Sequence, residues 1–362
     1  MLKLKAPKFL SDIGPWIHRH HTATYAIAAA IVLLIAIGVS AVVFYKKPVE
    51  VADTTPATSK KAAPPVKYYS PLTGLEVADE TATKQATTAV MIENSPDARP
   101  QSGLKSAGVV FEAIAEGGIT RFLALYQQEK PGLIGPVRSL RPYYVDWLAP
   151  FQPSVAHVGG SKFALDEVRN GQYRDIDQFF NAGTYWRARD RYAPHNVYTN
   201  FERLDALNKA KGYNESSVAG FDRKDPAPSQ TPNATQISVT ISGPLYNSAY
   251  TYDAATNTYA RAQGGAPHTD REAGQIAPTT VAVLYVTMNR VMEDGYREQI
   301  ASIGNGRAVI FQDGVATEAT WNKSSKTSQI TFTDAAGKPV QLNRGQTWLT
   351  AIPNSTGNVT WK

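Results

Sequence analysis

The chain has 362 residues, 43% of them apolar, 19% charged and none of them cysteine. That excludes a disulfide scaffold, a cysteine-based zinc site, a thiolate nucleophile and a lipid carried on cysteine. The formal charge of +6 is uneven: Met1 to Lys67 holds nine Lys/Arg against three Asp/Glu, which leaves twenty-eight of each in the body. A formally neutral body argues against a nucleic-acid partner, because such proteins need a basic surface to displace counterions.

In chain order, the first element is TYAIAAAIVLLIAIGVSAVVFY, Thr24 to Tyr45, an apolar run without a charge. Its length predicts a transmembrane helix. Lys and Arg flank both ends, and Trp16, Tyr25, Phe44 and Tyr45 suit the interfaces. The apolar core is too long for a cleaved signal peptide. The expectation is an uncleaved signal-anchor, with residues 1–23 cytoplasmic, the body extracytoplasmic and the membrane itself as a partner. Residues 46–67, rich in Pro, Ala, Thr and Lys, cannot bury a core and read as a semi-extended linker.

Next come TTAVMIEN, AGVVFEAIAE, TRFLALYQQ and PSVAHVGG as strands, with PYYVDWLAPF, SKFALDEVRNG and NFERLDALNKAKG as helices. Asn200 suits the N-cap of the last helix and Gly212 its end. The interleaving predicts an α/β sandwich-like domain with a mixed sheet over 68–221. Residues 222–236 are a Pro-rich break. Residues 237–362 then read as a mostly β domain of strands and hairpins, with QDGV and AAGK as turns. The fold class expected is therefore α+β behind an N-terminal transmembrane helix.

Chemistry concentrates in the first half. Read as a strand, VVFEAIAE places Val110, Glu112, Ile114 and Glu116 on one face. The glycine turn after it could bring Arg121 near Glu116. In IGPVRSLRPYYVDWL, Pro142 suits the first turn of a helix, so Arg138 and Arg141 flank its start. Cations are the wrong sign there, since the exposed N–H groups already carry partial positive charge. They meet either the chain's own carboxylates (Glu93, Glu112, Glu116 or Asp146) or an anion held at the helix start by guanidinium forks. Both readings stay open.

In YWRARDRYAPHNVYTN, Arg187, Arg189 and Arg191 alternate ahead of His195 and Asn196, which makes either a solvated loop or a shaped polar one. His157 ends a strand before two glycines, a position that ligands use in α/β folds and that core histidines also fill. His268 and Asp270, in GGAPHTD, read as a surface turn. There is no GxGxxG, P-loop, GxSxG or HExxH, so no cofactor, metal or nucleophile is expected from motifs. Paired carboxylates alone are a weak sign of acid–base catalysis.

The runs MIENSPDARPQSGL, VVFEAIAEGGITRF, IGPVRSLRPY, APHNVYT, GRAVIFQDGVATEATW and GQTWLTAIP together resemble the YerB-like family of bacterial envelope proteins. The resemblance covers nearly the whole body, in the same order. It implies a two-domain extracytoplasmic body and no activity. Its motifs fall on Glu93, Asn94, Arg99, Gln101, Glu112, Glu116, Thr120, Arg121, Arg138, Ser139, Arg141, His195 and Asn196. Members resemble lipoproteins with an N-terminal cysteine, which this chain lacks.

The expectation for function is a membrane-anchored envelope binding or assembly protein without catalysis. An anionic or polar ligand would lie among Asn94, Arg99, Glu112, Glu116, Arg121, Arg138, Arg141, His157, His195 and Asn196. A cell-envelope polymer or an envelope protein would be the partner. The alternatives are a glycan or peptide hydrolase or transferase using Glu112 or Glu116, and a protein–protein scaffold without a small ligand.

Overall fold

Two kinds of apolar run shape the molecule: one helical stretch near the N-terminus, and many short alternating stretches after it. The computed structural model describes residues 21–44, 66–292 and 297–362. They divide into two units, Met1–Pro64 and Pro65–Lys362.

The first unit contributes helix α1, His21–Phe44. The transmembrane helix expected over 24–45 is not returned, because among the described residues no helix is long and apolar enough to cross a membrane. The expected cytoplasmic N-terminus, through residue 20, and most of the expected linker, residues 45–65, lie outside the described residues.

The α+β class is corrected as well. Among the described residues strands predominate over helices. After a two-residue pair, Tyr68–Tyr69 with Glu76–Val77, the first-half strands are β1 (Thr88–Glu93), β2 (Val109–Glu116), β3 (Ile119–Tyr126), β4 (Ser154–Ala156), β5 (Arg174–Asp175), β6 (Trp186–Arg187) and β7 (Val197–Tyr198). The helices between and after them are short: α2 (Pro142–Leu148), α3 (Lys162–Val168) and α4 (Phe201–Ala210). Pro142 fills the first turn of α2, and a second proline, Pro150, limits the continuation of that helix to a single 3-10 turn. Asn200 caps α4 by accepting the Arg203 N–H at 3.0 Å, and Gly212 takes φ +76° just beyond its end.

The second half adds β8 (Gln236–Thr240), β9 (Ser248–Asp253), β10 (Thr258–Gln263), β11 (Ala266–Pro267), β12 (Thr280–Val286), β13 (Gly304–Gln312), β14 (Val315–Lys323), β15 (Thr331–Asp334), β16 (Thr347–Pro353) and β17 (Asn358–Trp361). In the QDGV hairpin, Asp313 and Gly314 both have positive φ, as a two-residue Asp-Gly turn requires.

One ten-stranded sheet runs through both halves, in the order β15-β14-β13-β12-β16-β2-β3-β1-β4-β5. The join is the parallel pairing of β16 with β2, which sets Thr350 beside Glu112. A second sheet of five strands, β11-β10-β9-β8-β17, comes from the second half. Strand alternation divides the core. Val109, Phe111 and Ala113 pack with Tyr144, Trp147 and Phe151 of the α2 segment. Val110 joins Phe201 and Leu204 of α4, while Ile114 joins Ile237, Val239 and Tyr250 of the second sheet.

A shared sheet predicts shared unfolding. Phe111 is buried and stacked on Trp147 at 5.4 Å, and Phe311 is buried in the second half. Phe111→Ala and Phe311→Ala should each cost about 3–5 kcal/mol and move one common denaturant transition, followed by circular dichroism and tryptophan fluorescence. Two transitions, each moved by only one variant, would contradict this.

Candidate functional site

The pairings point β1, β2, β4, β12 and β16 the same way, so their carboxyl ends lie together, with the start of β3. Most of the residues singled out from the sequence gather at this end of the sheet, in three groups, one sealed and two that reach solvent.

The innermost group is a closed ring of side chains. Gln101 Nε2 donates to Asn94 Oδ1 at 2.9 Å, and Asn94 Nδ2 donates to Thr120 Oγ1 at 2.6 Å. Thr120 Oγ1 donates to Glu112 Oε1 at 3.2 Å, and Glu112 Oε2 accepts from Arg261 Nη2 at 2.7 Å. Arg261 Nη1 then meets His268 Nδ1, and His268 Nε2 meets Gln101 Oε1 at 3.0 Å, which closes the ring. All six residues are buried. Glu112 also accepts from Trp348 Nε1 at 3.0 Å, and the Arg261 guanidinium lies 4.5 Å from the Trp348 ring centre. Arg99 braces the ring from outside, donating to the side chain and the carbonyl of Asn94 at 3.1 and 3.0 Å.

The charges here are set by neighbours. Burial alone would depress Arg261, but the Glu112 carboxylate and the Tyr250 hydroxyl together outweigh it and hold the guanidinium above its ordinary value. Burial, with Arg261 and Arg99 close by, pushes His268 well below the usual histidine range. A neutral ring with Nδ1 accepting and Nε2–H donating satisfies both of its contacts.

The second group answers for Arg141. Glu116 accepts from Arg141 Nη2 at 2.6 Å and Nε at 3.0 Å, and from Arg121 Nη2 at 2.8 Å. Arg121 is buried and also donates to the Ser139 carbonyl at 2.8 Å. Burial tends to raise Glu116, but Arg121 and Arg141 together hold it below the usual carboxylate range.

The third group faces solvent. Glu93 Oε1 accepts from Arg138 Nε at 3.2 Å and Ser95 Oγ at 3.1 Å, and meets His195 Nδ1 at 2.9 Å. Glu93 is buried, whereas the Arg138 and His195 side chains keep 26% and 22% of their surface exposed. The other carboxylate oxygen, Oε2, is buried without a hydrogen-bond partner.

Two candidates lie apart. His157 is fully buried, with Nδ1 at 2.8 Å from the Gly159 carbonyl and Nε2 at 2.9 Å from Asp175. Asn196 accepts from Arg187 Nη1 at 2.7 Å and donates to the carbonyls of Ala188 and Arg191, so it shapes its own loop. Among the described residues no three His, Asp or Glu side chains are placed to hold a metal ion. His268, read as part of a surface turn, is instead a buried member of the ring. Arg261 and Glu93 were not among the expected ligand-binding residues. Arg261 carried a usable signal, since alternation along β10 turns Tyr259, Arg261 and Gln263 inward together.

The fold and this end of the sheet thus define a body whose two halves share one sheet and are locked by a buried polar ring, with a small charged rim above it. The chain belongs to the family described as "Protein of unknown function (DUF3048)": its N-terminal domain matches residues 72–214 and its C-terminal domain residues 237–349. It is 32% identical over 307 residues to the Bacillus subtilis protein named "Putative lipoprotein YerB", covering 83% of this chain and 89% of that one. The crystal structure of YerB from B. subtilis matches with a TM-score of 0.71 at 30% identity, over 81% of this chain and all of that one.

His268 yields a pH prediction. Its folded pKa lies below about 6.5, so on acidification the unfolded chain takes up a proton that the folded chain refuses. Its stability contribution is present at neutral pH and is lost as pH falls below about 6.5. The advantage of wild type over His268→Gln in urea unfolding should shrink by up to about 1.4 kcal/mol per pH unit. An advantage constant from pH 7 to 5 would contradict this.

Proposed function

We propose that this chain is an envelope-associated binding protein that takes a polar ligand at the rim formed by Glu93, Arg138 and His195. The observation that carries the reading is the Glu93 carboxylate. One of its oxygens is buried without a donor, beside two side chains that reach solvent. A buried acceptor left unmade costs about 1–3 kcal/mol, and a ligand hydroxyl or ammonium would recover that. Arg138 uses Nε on Glu93, which leaves its outer nitrogens for an anionic group. The ligand is then one that offers a donor and a carboxylate together, as a cell-wall peptide fragment does. The name of the similar YerB, a lipoprotein, supports a body held at a membrane on the outer side.

The hydrolase or transferase reading loses ground on both of its carboxylates. Glu112 is sealed from solvent against Arg261. The two arginines move Glu116 downward, the wrong direction for a general acid at neutral pH. A scaffold reading draws on Phe179, Phe180 and Tyr192, which are exposed at 68%, 74% and 92%.

Thermal unfolding of the protein with muropeptides separates these readings. At about a hundred times the dissociation constant, a rim ligand should stabilise by about 2.7 kcal/mol. Arg138→Ala should remove that gain and stay folded, since the side chain is partly exposed. No stabilisation by muropeptides, or the same gain in wild type and variant, would contradict the rim.

A further inference from the structure

A second polar site lies on the hairpin loop that precedes His195. A cleft of about 390 Å³ is lined by Trp186, Arg187, Arg189, Asp190 and Tyr198 from the first half and by Arg271 from the second. Three guanidiniums face one carboxylate there, in a body whose formal charge is balanced. Arg189 is exposed, and among the described residues it has no hydrogen bond or ion pair. Arg187 spends Nη1 on Asn196. Arg271 Nη2 holds Asp190 at 2.7 Å, but both side chains are largely exposed, and an exposed pair of this kind contributes little and opens readily.

The cleft wall adds an independent sign. Tyr198 is 1% exposed, and its hydroxyl has no acceptor in hydrogen-bond geometry; the Arg271 guanidinium beside it can only donate. A buried hydroxyl in a cleft wall, given only donors by the cations beside it, has its own proton free for an acceptor. Trp186, with the Arg203 guanidinium 4.8 Å from its ring centre, supplies a braced aromatic wall for the uncharged part of a ligand.

We propose that this cleft binds a phosphate-bearing ligand, with Arg187, Arg189 and Arg271 on the phosphate oxygens and the Tyr198 hydroxyl donating to one of them. Guanidinium forks match phosphate geometry, and the phosphate replaces Asp190 as the partner of Arg271. The site shares no lining residue with the Glu93 rim and does not depend on it.

The test is calorimetric titration of the full chain with two probes. One is a soluble glycerol phosphate oligomer, and the other is vesicles of equal parts phosphatidylcholine and phosphatidylglycerol. Saturable binding to the oligomer alone assigns a free phosphodiester polymer, and binding to the vesicles alone assigns a lipid headgroup. In either case Arg189→Gln should weaken binding about tenfold. Tyr198→Phe should weaken it by a similar factor while moving the melting temperature little, because the hydroxyl donates to no acceptor. Asp190→Asn should tighten binding by removing the internal competitor. Arg307→Gln, at a distant exposed pair, should change nothing. The proposal is overturned if neither probe binds saturably, or if Arg307→Gln weakens binding as much as Arg189→Gln.

Discussion

The rest of the body depends on one buried ion pair, Glu112 with Arg261. Both side chains are closed to water and 2.7 Å apart. Removing two charges from water costs several kcal/mol per ion, and mutual attraction repays this only when the remaining donors and acceptors are satisfied too. The ring meets that condition: Thr120 and Trp348 complete the carboxylate, while His268 and Tyr250 take other guanidinium donors. Glu112 lies on β2 in the first half, and Arg261 on β10 in the second. Neither half can bury its charge without the other, and the pairing of β16 with β2 delivers Trp348 and Thr350 to the same carboxylate.

The same constraint places the rim. Gln101 Nε2 binds the carbonyl of Glu93 as well as the Asn94 side chain, so the ring fixes the backbone from which the Glu93 carboxylate projects. Polar character at this end of the sheet therefore extends from a sealed ring to two groups that reach solvent, the Glu116 pairs and a Glu93 carboxylate shared with two partly exposed side chains. The inner groups set geometry, and the outer one retains unused bonding capacity.

Much of the local structure was legible. Period-two alternation placed the faces of β2 as far as Ile114, but a β-bulge between Ile114 and Glu116 breaks it, so Glu116 meets Arg121 and Arg141 instead of sharing the face of Glu112. Asn200 and Pro142 marked helix starts, and Asp313-Gly314 marked a hairpin. Glu116 and Glu93 were among the carboxylates considered for Arg138 and Arg141. What local pattern could not carry was long-range pairing. Nothing near Glu112 points to Arg261, 149 residues on. His268 looked like a turn residue because glycines and a proline surround it; it is buried by segments distant in sequence. The α+β expectation gave short helical runs the weight of a covering layer, whereas strands of the second half take up one face of the sheet. The apolar run near the N-terminus suggested a membrane span, and no such span is found among the described residues.

The most direct test of this account is a double-mutant cycle on the pair, by urea unfolding at neutral pH. Glu112→Gln and Arg261→Met should each cost about 3–5 kcal/mol, because each leaves the other group buried without its partner. The double variant should cost far less than the sum, with a coupling of several kcal/mol. Additive losses would mean that the two groups do not depend on each other, and that the ring does not join the halves.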